Sequence, residues 1–313
     1  MAVRRLGSNA APKQKRTTTK TATKPRTEQA SLALPTQKKS PRADFFSYIH
    51  CYYGRAGIGK TTLAAAFPDT LMFSCERVSG GIECYDLNAD NGGVHNWEIF
   101  QQGVDLLEGS DRFATVAIDT VEAAYNQCQD WVCATKGLKH PSEANDYGKT
   151  WAAVMEEFHR QMARIYNSGR GLVLLSHAKE VEITAHSGEK YTRIQPSLGG
   201  KAFEWLKQKT DFVIYCEYVK DVSGSSRRVF ITAGDEIVDA KHPGEMPTYL
   251  PFLKGEAGVD MLVQGFQGDD VGIPVEELRP STNTSKAATQ LVRSQSARAA
   301  MNKQKGGPKR KKK

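Results

Sequence analysis

The chain has 313 residues, 39% of them hydrophobic, and a formal net charge of +8. That length admits one large domain or two small ones, and the sequence has neither an apolar run long enough to cross a membrane nor the apolar stretch of a signal peptide at its N-terminus, so no membrane partner and a cytoplasmic location are expected. Residues 1–42 carry eleven Lys/Arg and one acid, Glu28, and residues 280–313 carry ten Lys/Arg and no acid, leaving 22 basic and 34 acidic residues and a formal −12 between them, so the positive total does not describe a basic nucleic-acid-binding fold.

Residues 1–43 are rich in Thr, Lys, Pro, Ala and Gln and almost lack large apolar groups. Such a segment cannot bury enough surface to order itself. A non-specific arm for nucleic acid and a solubilising tail both remain open for it. The six cysteines, Cys51, Cys75, Cys84, Cys128, Cys133 and Cys216, form no C-x-x-C pair. Buried reduced thiols are expected, because Cys128 and Cys133 lack the spacing and the partner pair of a zinc site.

The folded core is expected over residues 44–266. Phe46 to Tyr53 is a β-rich run suited to a buried strand. Gly54-Arg55-Ala56-Gly57-Ile58-Gly59-Lys60-Thr61 fits G-x-x-x-x-G-K-[ST], followed by Thr62. Gly54, Gly57 and Gly59 allow a tight turn that brings backbone N–H groups to an anion. Lys60 can reach the outer phosphates of a nucleotide, and the Thr61 hydroxyl can hold Mg²⁺. Thr62 to Phe67 reads as a helix stopped by Pro68, with its positive end toward the phosphates. ATP and Mg²⁺ are therefore the expected cofactors.

Thr70 to Glu76 is a second short apolar strand ending in an acid, and Gly80-Gly81 is a turn. Arg112 to Thr120 reads as a third strand, buried on both faces, with Asp119 placed as the acid on the Mg²⁺ side. A strand-end Asp capping the next helix is the alternative. Residues 121–135 and 149–167 show helical spacing, with Trp151, Val154, Met155, Phe158, Met162 and Ile165 on one stripe, and residues 136–141 form a loop between them. Gly171 to His177 is a fourth buried strand. Residues 179–200 read as a hairpin or mobile loop, 201–207 as a short helix, 211–219 as a fifth strand, and 228–232 as its hairpin partner after a Gly224 turn. Order is expected to fade over residues 267–313, and no internal repeat is visible. Strands alternating with helices predict a mainly parallel α/β sheet covered on both faces, with antiparallel hairpins at one edge.

Two features sort the P-loop classes. In the AAA+ type a Glu usually follows the strand-end Asp directly; here Thr120 stands there, and Glu122 lies in the first turn of the next helix, where an acid also favours the dipole. In the RecA-like type the water-activating Glu ends the second strand, and Glu76 stands there. No Arg-rich lid of a nucleotide kinase follows residue 121. Gly54 to Thr62, Glu76, Ala117-Ile118-Asp119-Thr120, Tyr147-Gly148-Lys149, Ser176-His177-Ala178-Lys179 and Pro196 to Lys201 followed by Asp211 resemble the phage P-loop family of short RecA-core proteins, some of them single-strand annealing recombinases.

The resemblance covers about residues 45–262. It implies a RecA-like core, ATP and Mg²⁺ binding, a homo-oligomer (ring or filament), single-stranded DNA as partner, and catalysis by Lys60, Asp119 and Glu76. It also suggests a single-strand binding protein as a partner and the host cytoplasm as the location. Hexameric relatives of this type often carry Lys-x-Arg on a late hairpin; here Lys241 is kept but Pro243 replaces the Arg, so Lys241, with Arg193 or Lys179 as substitutes, is the intersubunit candidate. For DNA the candidates are Lys179, Lys190, Tyr191 and Arg193, with Tyr191 stacking on a base and the cations meeting phosphates. A hairpin packed on the core is the alternative. A replication ATPase (helicase or helicase loader) and a nucleotide-gated interaction protein that hardly hydrolyses ATP remain competing functions.

Overall fold

The computed structural model describes Leu34 and residues 36–77, 80–185 and 188–279. The expectations for the basic segments at 1–33 and 280–313, and for the Ser187-Gly188 turn at Ser187, lie outside the described residues. Contacts divide the chain after Pro41, and the unit beginning at Arg42 carries every helix and strand described here. Among the described residues no helix is long and apolar enough to cross a membrane.

In chain order the strands are β1 (Ile49–Gly54), β2 (Thr70–Ser74), β3 (Tyr85–Asp86), β4 (Thr115–Asp119), β5 (Gly171–Thr184), β6 (Lys190–Pro196), β7 (Phe212–Asp221), β8 (Ser226–Ile231), β9 (Tyr249–Pro251) and β10 (Leu278–Arg279). The helices are α1 (Lys60–Ala65), α2 (Trp97–Glu108), α3 (Val121–Thr135), α4 (Lys149–Asn167), α5 (Gly200–Lys209) and α6 (Glu256–Gln267). The sheet order is β3-β2-β4-β5-β1-β7-β8-β9, parallel from β3 to β7. Beyond β7 the strands β8 and β9 add antiparallel, β6 folds back on β5, and β10 pairs with β7. This is the α/β sheet expected from the alternation of strands and helices.

Alternation along β1 explains why the central strands are apolar throughout. Cys51 and Tyr53 face the core made with α2, α3, α4 and α5, while Tyr52 faces the core made with α1 and α6. In β4, Val116 and Ile118 face the first core and Ala117 the second. Residues of alternating direction that are all buried require helices on both faces. Trp97, Phe100 and Phe158 stack in the larger core, with 4.5 Å between the Trp97 and Phe100 ring centroids. Each such fully buried side chain contributes about 1.5–3 kcal/mol through area removed from water.

Several boundaries differ from the sequence-based expectation. The first strand starts at Ile49 instead of Phe46, because the Asp44 side chain accepts from the Phe46 N–H and winds residues 45–47 into a short 3-10 turn. The helix α2, which no sequence-based expectation covered, is fixed by Asn96, whose side chain accepts from the Ile99 N–H, and by an apolar stripe of Trp97, Phe100, Val104 and Leu107. The fourth strand does not stop at His177: β5 runs on to Thr184, and its outer half pairs with β6 in a formed hairpin, with α5 starting at Gly200. Ordered structure also continues past Gln267, since β10 closes on β7 and the Ile273 N–H bonds to the Tyr249 carbonyl. The expected core boundary at residue 266 therefore falls short of the fold.

Candidate nucleotide-binding and active site

The C-terminal ends of β1, β2 and β4 line up beside the middle of β5. Gly54 of β1 lies opposite His177 of β5, and Asp119 of β4 lies opposite both Leu175 of β5 and Ser74 of β2. The turn 55–59 leaves β1 at this edge. Gly54 is required by close approach: a Cβ there would lie 2.4 Å from the Cys216 carbonyl oxygen of β7. Gly57 and Gly59 have φ of +75° and +114°, the left-handed region that glycine adopts without a Cβ penalty. Gly59 caps α1. That helix has only six residues, so an anion at this edge would meet the loop amides more than a long helix dipole.

A cleft of about 320 Å³ opens above this edge. It is lined by loop residues 56, 57 and 59 and by Lys60, Thr61, Thr62, Glu76, Arg77, Ile82, Asp119, Thr120 and His177. Lys60 is buried, and its ammonium donates to the Gly54 and Arg55 carbonyls at 2.9 and 3.1 Å. Burial pushes its pKa down from the usual lysine value, against the nearby Asp119, Glu122 and Glu76 charges. The Thr61 hydroxyl donates to Asp119 Oδ2 at 2.7 Å. Burial pushes the Asp119 pKa up, partly offset by the Thr61 bond and the Lys60 charge. A cation and an anion that are each made costly by burial form a place where a metal-bound anion restores balance.

The donor set fits Mg²⁺ and a polyphosphate. A hydroxyl and a carboxylate in contact are hard oxygen ligands, and Mg²⁺ is commonly held by one or two such groups plus substrate phosphates. The open left-handed glycines supply the backbone approach, and nothing lies within 4 Å of a Cβ built on Gly57.

Glu76 stands just past β2. Its carboxylate accepts from the Thr120 hydroxyl at 2.7 Å and lies 3.4 Å from His177 Nε2. The strand end behind it is pinned, because the Cys75 and Glu76 N–H groups both reach the Asp119 carbonyl and Gln127 Nε2 donates to the Cys75 carbonyl. Glu122, in the first turn of α3, does not line the cleft. Its Oε1 accepts from the His177 N–H at 2.8 Å, so it braces the end of the central part of β5. Glu76, Glu122 and His177 nonetheless bring one ligand atom each within 4.8 Å of one another.

Of the nine loop positions expected to contact nucleotide, residues 56, 57 and 59–62 line the cleft. Gly54 supports the turn from below, the Ile58 side chain is buried in the core, and Arg55 lies over the Tyr218 ring at 5.7 Å. Three cleft residues with polar side chains were given no role in the site from the sequence. Thr120 caps α3 and orients Glu76. His177 lies within β5 opposite Gly54 of the loop strand, a position that register alone assigns. Arg77 follows the strand-end acid and was readable as such.

The residues proposed from sequence for DNA are distributed differently. Lys179 donates to the Leu198 carbonyl, and Arg193 pairs with Asp239 at 3.2 Å. Lys190 makes an exposed pair with Glu182 at 2.7 Å, and Tyr191 sits half-buried across from Ile183. The Lys241 ammonium donates to the Lys207 carbonyl at 2.5 Å, while its backbone pairs with Val213. Burial lowers its pKa. None of these side chains lines the cleft of its own chain.

A family model described as AAA domain (AAA_24), a P-loop NTPase-type family, matches residues 48–243. No curated protein matches the chain. The matched stretch runs from β1 through the loop, both strand-end acids and the β5–β6 hairpin to the Lys241 turn. It covers more than half of the chain and includes the residues of the cleft; the protein belongs to the AAA domain family (AAA_24) of nucleotide-binding ATPase-type proteins.

Proposed function

We propose that the protein binds ATP with Mg²⁺ through residues 54–62 and Asp119, hydrolyses it with Glu76, and couples the nucleotide to single-stranded DNA in annealing or recombination, as a phage protein with a RecA-like core. The observation that carries the ATPase part is the convergence of Lys60, Thr61, Asp119 and Glu76 on one cleft, from three different elements. Mg²⁺ in this cleft supplies charge neutralisation of the phosphates. The chain supplies the rest. Loop amides and Lys60 hold the phosphates, Thr61 and Asp119 offer oxygens to the metal, and Glu76, held by Thr120, orients the attacking water and takes its proton.

Two features support the DNA part. The charge split, +20 at the ends against −12 between, gives the terminal segments the attraction for phosphates. The β5–β6 hairpin is built on the outer half of β5, directly after His177, which lines the cleft, and this offers a short physical path from nucleotide to hairpin. The homo-oligomer belongs to the same proposal, with Lys241 as the trans candidate. That Lys179 and Arg193 are bound within their own chain favours the nucleotide-gated interaction protein as the second reading.

Steady-state ATP turnover with and without single-stranded DNA, together with an annealing assay, tests the proposal. DNA-stimulated turnover with annealing supports it. Directional strand separation with sustained turnover supports the replication ATPase instead, and tight ATP binding without turnover supports the gated partner switch.

A further inference from the structure

We propose that Arg77 is a catalytic residue that acts within its own chain, placing its guanidinium on the outer phosphate of ATP during hydrolysis. The inference rests on the reading of the cleft as an ATPase site. Three observations carry it. First, Arg77 lines the cleft together with Lys60, Thr61, Glu76 and Asp119, and among the described residues no other arginine does so. Second, its position is fixed from behind. It is one residue beyond Glu76, where the strand end is tied to the Asp119 carbonyl through the Cys75 and Glu76 N–H groups, at 2.7 and 3.4 Å, and to Gln127 through the Cys75 carbonyl. Third, among the described residues Arg77 has neither an ion pair nor a hydrogen bond, and it is exposed. Other basic side chains considered for the site are engaged elsewhere: Arg55 over Tyr218, Arg228 on the Ile58 carbonyl and over Phe252, Lys179 on the Leu198 carbonyl, and, away from the cleft, Arg193 on Asp239 and Lys241 on the Lys207 carbonyl.

The chemistry needs such a group. Water oxygen attacks the γ-phosphorus while the bond from that phosphorus to the β,γ-bridging oxygen breaks. The water proton passes to the Glu76 carboxylate, and the products are ADP and inorganic phosphate. Negative charge shifts onto the bridging oxygen and is spread over the γ-oxygens. Among the described residues Lys60 is the one other Lys or Arg lining the cleft, and it is placed at the loop, where it meets bound phosphate in the ground state as well. A planar guanidinium on the Glu76 side can meet the charge spread over the γ-oxygens with two parallel N–H donors, which a lysine cannot reproduce. Because Arg77 and Glu76 are consecutive, one pinned strand end delivers both the water-activating carboxylate and the charge-stabilising guanidinium.

The test uses the full chain with Arg77→Ala and Arg77→Lys, assayed with and without single-stranded DNA. ADP and non-hydrolysed ATP-analogue affinity, single-turnover hydrolysis, and retention of ADP with aluminium fluoride are measured. The expected result is nucleotide affinity close to wild type, with hydrolysis reduced about 10³-fold, the low end for an arginine of this role. Retention of the aluminium fluoride complex should be lost in Arg77→Ala and only partly restored in Arg77→Lys. Mixing Arg77→Ala with Lys60→Ala chains should not restore turnover, because each cleft needs its own arginine. Hydrolysis by Arg77→Ala close to wild type overturns the inference, as does an equal loss of ADP affinity or turnover in the mixture above that of either variant alone. A wild-type chain that binds ATP but neither hydrolyses it nor retains the fluoride complex sinks the ATPase reading itself, and this inference with it.

Discussion

Lys60→Ala is the sharpest test of the cleft. The Lys60 ammonium is held by two carbonyls, at 2.9 and 3.1 Å, in a buried position. Truncation leaves those two acceptors without this donor, at about 1–3 kcal/mol for a buried unsatisfied group, but it also removes an ammonium whose burial is itself costly. The two effects oppose each other, so the fold is expected to survive, with a change in stability of about 1 kcal/mol in either direction. Nucleotide binding has no such compensation. One charge-assisted hydrogen bond to phosphate is worth about 1.5–3 kcal/mol, or about 10- to 150-fold in affinity at 1.4 kcal/mol per decade. Titration calorimetry with Mg·ATP analogue, beside thermal unfolding of the same sample, measures both quantities. A folded Lys60→Ala protein with unchanged nucleotide affinity and turnover would refute the assignment of the cleft.

Glu76→Gln should slow hydrolysis by about 10²–10⁴-fold with nucleotide affinity kept, since the amide oxygen still accepts from Thr120 but cannot take a proton. Glu122→Gln should act mainly on stability, and the reverse outcome would move the water-activating role to Glu122. The raised pKa of Asp119 gives a pH dependence: its folded-state value lies above its unfolded one, so the desolvation cost is absent below the unfolded value and fully present above the folded value. Asp119→Asn should therefore leave the metal-free protein at least as stable at pH 7 by thermal unfolding, while weakening Mg²⁺-dependent nucleotide binding. In the wild type that binding should fade, on acidification, at a pH above the ordinary aspartate range. Removing residues 1–42 and 280–313 should weaken single-stranded DNA binding strongly at low salt and lower the salt slope by about 0.7 for each DNA phosphate no longer neutralised, with ATP affinity unchanged. An equal slope in the truncated chain would assign those segments to solubility alone.

The sequence by itself determined the local chemistry of the phosphate loop. Glycines at 54, 57 and 59, a lysine and a threonine at fixed spacing answer to backbone sterics and to an anion within a few residues, so no distant contact is needed to read them. Strand-end acids were legible for the same reason, because apolar runs ending in Glu76 and Asp119 announce their own position in a covered parallel sheet. Which acid faces the cleft was not fixed by spacing. Glu122 turns to the His177 N–H and Glu76 to the Thr120 hydroxyl because β5 lies between β1 and β4, a non-local pairing between segments far apart in the chain. The same pairing brings His177 beside Gly54. The hairpin charges at Lys179 and Arg193 looked free in the sequence but find partners at Leu198 and Asp239 once β6 folds back, and β10 extends the fold beyond Gln267 through its pairing with β7. Local sterics and periodicity are carried by neighbours along the chain, whereas the partner of a strand edge or a long cation is chosen only when distant segments meet.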